Sequence, residues 1–124
     1  LAPLTTARII GITVPAQVGA GDTFDAIIRT ENYIQTVEDV SIVFGIAPSE
    51  YAYPGELGTE LLTQKTLGPE LSNTVSNITA KITLPASTPQ GSSILAAALY
   101  SLYGARYGPT ITNYNVTVVV ANTT

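Results

Sequence analysis

The clearest pattern along the chain lies in residues 92–121, where two apolar segments flank a turn rich in glycine. The first segment carries no charge, and the second alternates between apolar and polar residues with many β-branched side chains. This pattern predicts a hairpin of two long strands whose buried face needs a second sheet. The uncharged segment could also be a buried helix, because a short apolar run has no decisive period, but the turn residues around it favour a strand. The expected core side of the second strand carries Tyr114, Val116, Val118 and Val120.

Five further segments have the length and composition of strands, namely residues 7–14, 23–31, 38–47, 59–67 and 74–84. Pro15 and the glycines that follow it predict a turn between the first two segments. In the third segment, alternation places Ile42 and Phe44 inside and Asp39 outside. Because no segment has a helical period, we expect a single all-β domain spanning residues 1–124. Its predicted architecture is an immunoglobulin-like antiparallel β-sandwich of about seven strands.

Composition limits where the protein works and what it binds. Charged residues make up 11% of the chain and the net charge is −4, which argues against nucleic acid and anionic membranes as partners. No apolar run reaches the ~18 residues of a membrane helix. The chain opens at LAPLTTAR and contains no Met, so we expect a mature or trimmed product from which any signal peptide has already been removed. Its Thr-rich, Lys-poor composition is common in secreted β-proteins. We also expect it to be a monomer.

Catalytic side chains are scarce in this sequence. It has no His and no Cys, which excludes Ser-His-Asp and Cys-His catalysis and removes the usual zinc ligands. Two carboxylate pairs remain, Asp22 with Asp25 and Glu38 with Asp39, but such residues typically cap turns or solvate strand edges. The glutamates of the loop 50–60 match no calcium-binding pattern. We therefore expect no enzymatic activity, no metal and no cofactor.

Tyrosine is the residue type that favours a binding function. The chain has seven Tyr against two Phe and no Trp, and tyrosine is enriched at protein interfaces because it combines apolar area with a hydroxyl. Several of these tyrosines fall in the longest loop and in the hairpin turn. The predicted partner-binding residues are Tyr51 and Tyr53 in the loop, and Tyr103, Arg106 and Tyr107 at the turn. The alternative is that these side chains only cover the ends of the sandwich.

Three Asn-x-Thr sequons occur, at Asn77, Asn115 and Asn122. Asn77 and Asn115 fall on the predicted outward faces of strands, where a glycan is tolerated, and they are the candidate N-glycosylation sites. Threonine-rich strands also create such triplets by chance. We expect Asn122 to remain unmodified because it lies so near the end of the sequence.

The strings ARIIGITVPAQVGAGDTF, ENYIQTVEDVSIVFGI and YPGELGTEL, in this order, resemble the necrosis-inducing secreted protein family of fungi. The resemblance implies a secreted effector that binds and inhibits plant immune kinases, namely a receptor-like co-receptor kinase and a receptor-like cytoplasmic kinase. Such an effector suppresses pattern-triggered immunity and can induce host cell death. The resemblance leaves open whether the target is met outside the host cell or after translocation into it, and it implies no catalytic residues.

Two other functions fit the residues. One is a carbohydrate- or cell-wall-binding module, in which Tyr51, Tyr53 and Tyr107 would form a flat strip for stacking on sugars. The other is a structural protein of the cell wall, consistent with the abundant threonine and the sequons. The absence of Trp counts against the first, and the lack of a stalk counts against the second.

Overall fold

The computed structural model describes residues 7–33, 37–68, 70–72 and 76–121. In these ranges the chain forms eight strands and one short 3-10 helix, Ser49–Tyr51. The strands are β1 (Ala7–Thr13), β2 (Gln17–Gly19), β3 (Thr23–Asn32), β4 (Val37–Pro48), β5 (Glu60–Thr66), β6 (Ile78–Thr83), β7 (Gly91–Tyr103) and β8 (Gly108–Ala121). Across the described ranges no helix has the length and apolar character needed to cross a membrane.

The strands form two sheets that pack face to face. One sheet has the order β1-β3-β6, and the other has the order β2-β8-β7-β4-β5. All neighbours are antiparallel except β2 and β8, which pair in parallel. This arrangement confirms the predicted immunoglobulin-like β-sandwich, with the β7–β8 hairpin in the middle of the larger sheet.

Residues facing each other across the two sheets form the hydrophobic core. Alternation predicted this face correctly in β8, where Val118 and Val120 are buried and Tyr114 and Val116 pack against the core. The hydroxyl of Tyr114 donates a hydrogen bond of 2.9 Å to the carbonyl oxygen of Ile9. This bond ties the larger sheet to the smaller one. The largest fully buried side chains include Phe44, Ile28, Ile42, Ile82, Leu95 and Leu99.

Strand β2 is absent from the sequence-based prediction, which placed a turn here. Gln17, Val18 and Gly19 pair in parallel with Val119, Val120 and Ala121, and Val18 is buried. Three residues are too few to show a period of two. Their strand conformation depends on a partner roughly a hundred positions away, which local pattern does not reveal.

The predicted orientation of Asp39 was wrong. Asp39 is only 2% exposed and faces the core, like Ile42 and Phe44. The register between β4 and β7 shifts between Asp39 and Ser41, so Val40 is an extra residue in the ladder. A β-bulge of this kind shifts the alternation of inward and outward side chains by one residue. Asp39, which precedes the bulge, therefore points into the core.

Three sequence-based predictions lie partly or wholly outside the described residues. They concern the beginning of the segment 74–84, residues 34–36 of the string ENYIQTVEDVSIVFGI and the sequon at Asn122. The described part of the segment 74–84 is β6, which begins at Ile78 and buries Ile78, Ala80 and Ile82 as alternation predicts.

Candidate functional site

The two tyrosine groups lie at opposite ends of the larger sheet. In the β4–β7 ladder, Val37 is opposite Tyr103 and Pro48 is opposite Ser93. The loop that follows Pro48 is therefore at one end, and the turn that follows Tyr103 is at the other. The 12 residues of β4 separate these ends by roughly 35–40 Å at ~3.3 Å per residue. Tyrosines from both groups cannot form the single stacking strip that a carbohydrate-binding module would require.

At the loop end, Tyr51 and Tyr53 are 56% and 62% exposed. The loop folds back over the outer face of the larger sheet, where the backbone N–H of Thr59 donates a 3.1 Å hydrogen bond to Ile46. Gly45 makes this approach possible, because a Cβ there would lie 2.5 Å from the carbonyl oxygen of Leu57.

A groove of about 160 Å³ remains between this loop and the sheet. We call it the β7–β8 groove, because strands β7 and β8 supply its floor. Its lining includes Tyr53, Glu56, Leu57, Ile94, Ala96 and Asn115. Most of these side chains are apolar, and Glu56 and Asn115 are the polar ones among the six.

At the turn end, Tyr107 is 57% exposed and has a φ of 51°. It is the one non-glycine residue with a positive φ among the residues that the structure describes. Its backbone N–H donates a 3.2 Å hydrogen bond to the carbonyl oxygen of Gly104, and Arg106 beside it is exposed. The left-handed conformation costs an L-residue about 1–2 kcal/mol. The fold therefore presents this tyrosine to solvent at an energetic cost.

Tyr103 does not share this exposure. It is half-buried, and its ring packs edge-on against that of Tyr33, with centroids 6.3 Å apart. The guanidinium of Arg8 lies 4.5 Å from the centroid of the Tyr33 ring and forms a 3.0 Å ion pair with Glu31. These contacts join β1, the end of β3 and β7 at the same end as the turn.

We call this end of the sandwich the Tyr–Arg end and define it by Arg8, Glu31, Tyr33, Tyr103, Arg106 and Tyr107. Sequence reasoning identified the last three and missed the first three. Arg8 and Glu31 become neighbours only through the antiparallel β1–β3 register, which pairs them directly. No local motif signals a contact of this kind.

The charge states at the Tyr–Arg end follow from its contacts. The hydrogen bond to Glu31 raises the pKa of Arg8, which stays cationic. Burial raises the pKa of Tyr103, and the nearby Asp39 and Tyr33 add to this effect. At neutral pH this surface therefore offers the neutral phenol of Tyr103 and the charged guanidinium of Arg8 in its pair with Glu31. Aromatic rings beside a guanidinium are suited to recognition by stacking and hydrogen bonding.

The two candidate glycosylation sites differ in their surroundings. Asn77 is exposed, and its Oδ1 accepts a 3.1 Å hydrogen bond from the backbone N–H of Thr30. Asn115 is exposed in the middle of β8 and borders the β7–β8 groove. In the ranges that the structure covers, no group of three or more His, Cys, Asp or Glu residues is arranged to hold a metal ion.

Comparisons with known proteins extend over nearly the whole chain. The model of the Nis1 family matches residues 5–119. The chain is 54% identical over 124 residues to Necrosis-inducing secreted protein 1 of Colletotrichum orbiculare, covering 100% of this chain and 76% of that protein. It is also 54% identical over 121 residues to the protein of the same name in Colletotrichum higginsianum, covering 98% and 83%.

Among solved structures, the chain is similar to a CARDB domain from Pyrococcus furiosus, with a TM-score of 0.52 and 12% identity. That match covers 95% of this chain and 93% of the domain. At this identity the likeness concerns the fold alone, which is the same kind of β-sandwich.

Proposed function

Because the chain belongs to the Nis1 family, we propose that it is a secreted fungal effector that induces necrosis in plant tissue. Support comes from relatives that carry this activity and compartment in their names. The chain covers 76% and 83% of the lengths of these two relatives, so the similarity includes most of each relative.

The effector acts by binding and inhibiting plant immune kinases, a receptor-like co-receptor kinase and a receptor-like cytoplasmic kinase. This inhibition suppresses pattern-triggered immunity. The resemblance described above is the main support for these partners. A lack of His and Cys also favours a stoichiometric mechanism, in which the protein covers a kinase surface and performs no chemistry on it.

The observation that carries the proposal is the exposed, left-handed Tyr107. Glycine would adopt this φ without strain, yet the position holds a large aromatic residue next to Arg106. Backbone strain of this kind tends to persist at functional sites. Tyr and Arg are also among the residues that contribute most binding energy at protein interfaces. The Tyr–Arg end is therefore the proposed kinase contact, ahead of the loop with Tyr51 and Tyr53.

Calorimetric titration into a purified co-receptor kinase domain tests this proposal, with a kinase activity assay in parallel. We expect micromolar or tighter binding and a fall in kinase activity. Tyr107→Ala and Arg106→Ala should each weaken binding about tenfold or more, as a hot-spot residue does. Tyr51→Ala is the matched control, because Tyr51 is equally exposed but lies at the opposite end. It should bind like the parent protein.

Other outcomes have clear meanings. Unchanged binding by Tyr107→Ala together with weakened binding by Tyr51→Ala would move the contact to the loop end. A panel of cell-wall polysaccharides should give no heat. Binding to a polysaccharide without binding to the kinase would reject the kinase proposal and favour a wall-binding module.

A further inference from the structure

Asn115 is the first residue of a sequon and also lines a concave surface. Its side chain borders the β7–β8 groove, and its position on β8 is opposite Ala96 of β7, which forms part of the floor. Thr117, the third residue of the sequon, is exposed on the same face of the strand. A group attached to Asn115 would therefore begin inside the groove.

We propose that Asn115 carries an N-linked glycan and that its first N-acetylglucosamine occupies the β7–β8 groove. The occupant is thus part of the mature protein and not a separate ligand. This inference rests on the secretion included in the proposed function, because N-glycosylation takes place in the secretory pathway. It does not rest on kinase binding.

The modification is a group transfer from a lipid-pyrophosphate-linked oligosaccharide. Nδ2 of Asn115 forms a bond to C1 of the first sugar, and the bond between C1 and the pyrophosphate oxygen breaks. The lipid pyrophosphate leaves with the electron pair of that bond, and the proton lost by the amide nitrogen passes to the solvent. The side-chain carbonyl of Asn115 is unchanged.

The groove has the chemistry that a sugar ring requires. Ile94 and Ala96 give it an apolar floor, and Tyr53 provides an aromatic ring on its loop side. The C–H faces of a pyranose pack against such surfaces, since the π-face of an aromatic ring attracts weakly positive hydrogens. Glu56 provides an acceptor for the N–H or a hydroxyl of the sugar.

Asn77 offers a useful comparison. It also borders a shallow cleft, but the described residues that line this cleft include no aromatic ring. Its Oδ1 is engaged by Thr30, which holds the side chain at the end of β3. A sugar on Asn77, if attached, would therefore not interact with Tyr53, and its effect on stability should not depend on that residue.

The first experiment measures occupancy. The chain is secreted from a yeast host and analysed by intact mass and glycopeptide mapping. We expect a glycan on the peptide that contains Asn115, and loss of one glycan in both Asn115→Gln and Thr117→Ala. The Asn77→Gln variant should retain the glycan on Asn115. An unmodified Asn115 in the parent protein would overturn the proposal.

The second experiment asks whether the sugar occupies the groove. The glycan is trimmed to its first sugar, and the midpoint of thermal unfolding is compared with that of the same protein carrying Thr117→Ala. We expect the sugar to raise the midpoint by about 2–4 °C in the parent. The increase should disappear in a Tyr53→Ala background and persist in a Tyr51→Ala background, because Tyr51 is equally exposed but does not line the groove.

Nuclear Overhauser contacts between the sugar and the ring of Tyr53 provide a readout that needs no variant. The opposite result would be a glycosylated Asn115 whose sugar raises the unfolding midpoint equally in the parent, Tyr53→Ala and Tyr51→Ala, with no Overhauser contacts to Tyr53. It would show that the sugar points into solvent. That result would reject the proposal that the first sugar occupies the β7–β8 groove. Kinase binding by the protein made in bacteria is a separate measurement, so failure of this inference and failure of the proposed function can be distinguished.

Discussion

Ser101 donates a hydrogen bond of 2.8 Å to Oδ1 of Asp39 inside the sandwich, and both residues are almost fully buried. The backbone N–H of Asp39 donates to the hydroxyl of Ser72, which in turn donates to the carbonyl oxygen of Val37. The β-bulge at Val40 therefore has a polar network on its inner side. This network holds the start of β4 against β7, close to the Tyr–Arg end.

The buried Asp39 should make stability depend on pH. Burial raises its pKa, and the hydrogen bond from Ser101 opposes this effect only in part. The folded state therefore holds a proton that the unfolded state releases near its usual value of about 3.9. The contribution of Asp39 to stability is fully present below that value and is lost as the pH rises through the raised folded pKa.

The Asp39→Asn variant tests this effect, because it keeps an acceptor for Ser101 but cannot ionise. We expect its free energy of unfolding at pH 7 to lie within about 1 kcal/mol of the parent, or above it. The free energy of unfolding of this variant, measured with urea, should also not show the decrease with rising pH that we attribute to Asp39 in the parent. The same decline in both proteins would assign it to another group.

Tyr114 gives a second prediction, at the contact between the two sheets. Tyr114→Phe removes the hydroxyl that donates to Ile9, and it should lower the free energy of unfolding by about 0.5–1.5 kcal/mol. Burial raises the pKa of Tyr114 to about 12. Its contribution should thus be fully present below pH ~10, where the unfolded tyrosine ionises, and decline as the pH rises towards about 12.

Alkaline difference spectroscopy can follow this ionisation. The parent protein should show a late tyrosinate transition that is missing in Tyr114→Phe. If the tyrosinate transitions of the parent and of Tyr114→Phe have the same latest step, the hydrogen bond of Tyr114 is not maintained in solution.

Gly45 is the subject of a third prediction, about the loop that covers the larger sheet. In Gly45→Ala, the added Cβ would lie 2.5 Å from the carbonyl oxygen of Leu57. We expect a loss of about 2 kcal/mol in the free energy of unfolding, because backbone must move to relieve this contact. Gly108→Ala is the control. Its Cβ would meet only the carbonyl oxygen of Tyr103 at 3.7 Å, an ordinary contact.

A fourth prediction concerns the backbone strain at Tyr107. Tyr107→Gly relieves about 1–2 kcal/mol of left-handed strain and loses about 0.5–1 kcal/mol to the greater freedom of the unfolded chain. The folded state should therefore be as stable as the parent or up to about 1.5 kcal/mol more stable. Gly104→Ala in the same turn, at a φ of 73°, should instead be destabilising. Urea unfolding of the two variants measures both effects.

Most of the fold could be predicted because alternation is a local property. The inward faces of β3, β6 and β8 follow directly from their apolar residues, such as Ile28, Ile82 and Val118. Two features could not be predicted in this way. The bulge at Val40 and the parallel strand β2 both depend on pairing with distant strands, and neither leaves a periodic signal in its own segment.

The candidate surfaces were predictable in part. Residue type identified Tyr107 and Tyr53, because tyrosines in loops and turns are usually accessible. Their positions at opposite ends of the sandwich follow only from the β4–β7 register. Likewise, the sequon at Asn115 is visible in the sequence, but the β7–β8 groove beside it exists only because the loop around Leu57 folds back over the sheet. The resemblance to the necrosis-inducing secreted proteins is confirmed by the relatives.

The parallel pairing of Gln17–Gly19 with Val119–Ala121 also constrains the order of assembly. A ribosome makes these two segments at widely separated times, so the edge of the larger sheet stays open until synthesis has passed β8. During that interval β1 can pair with β3. Strand β2, which follows β1 in the sequence, cannot yet pair with β8. A chain exported as it is made would thus cross the membrane channel before its second sheet can close, and it would complete folding on the far side.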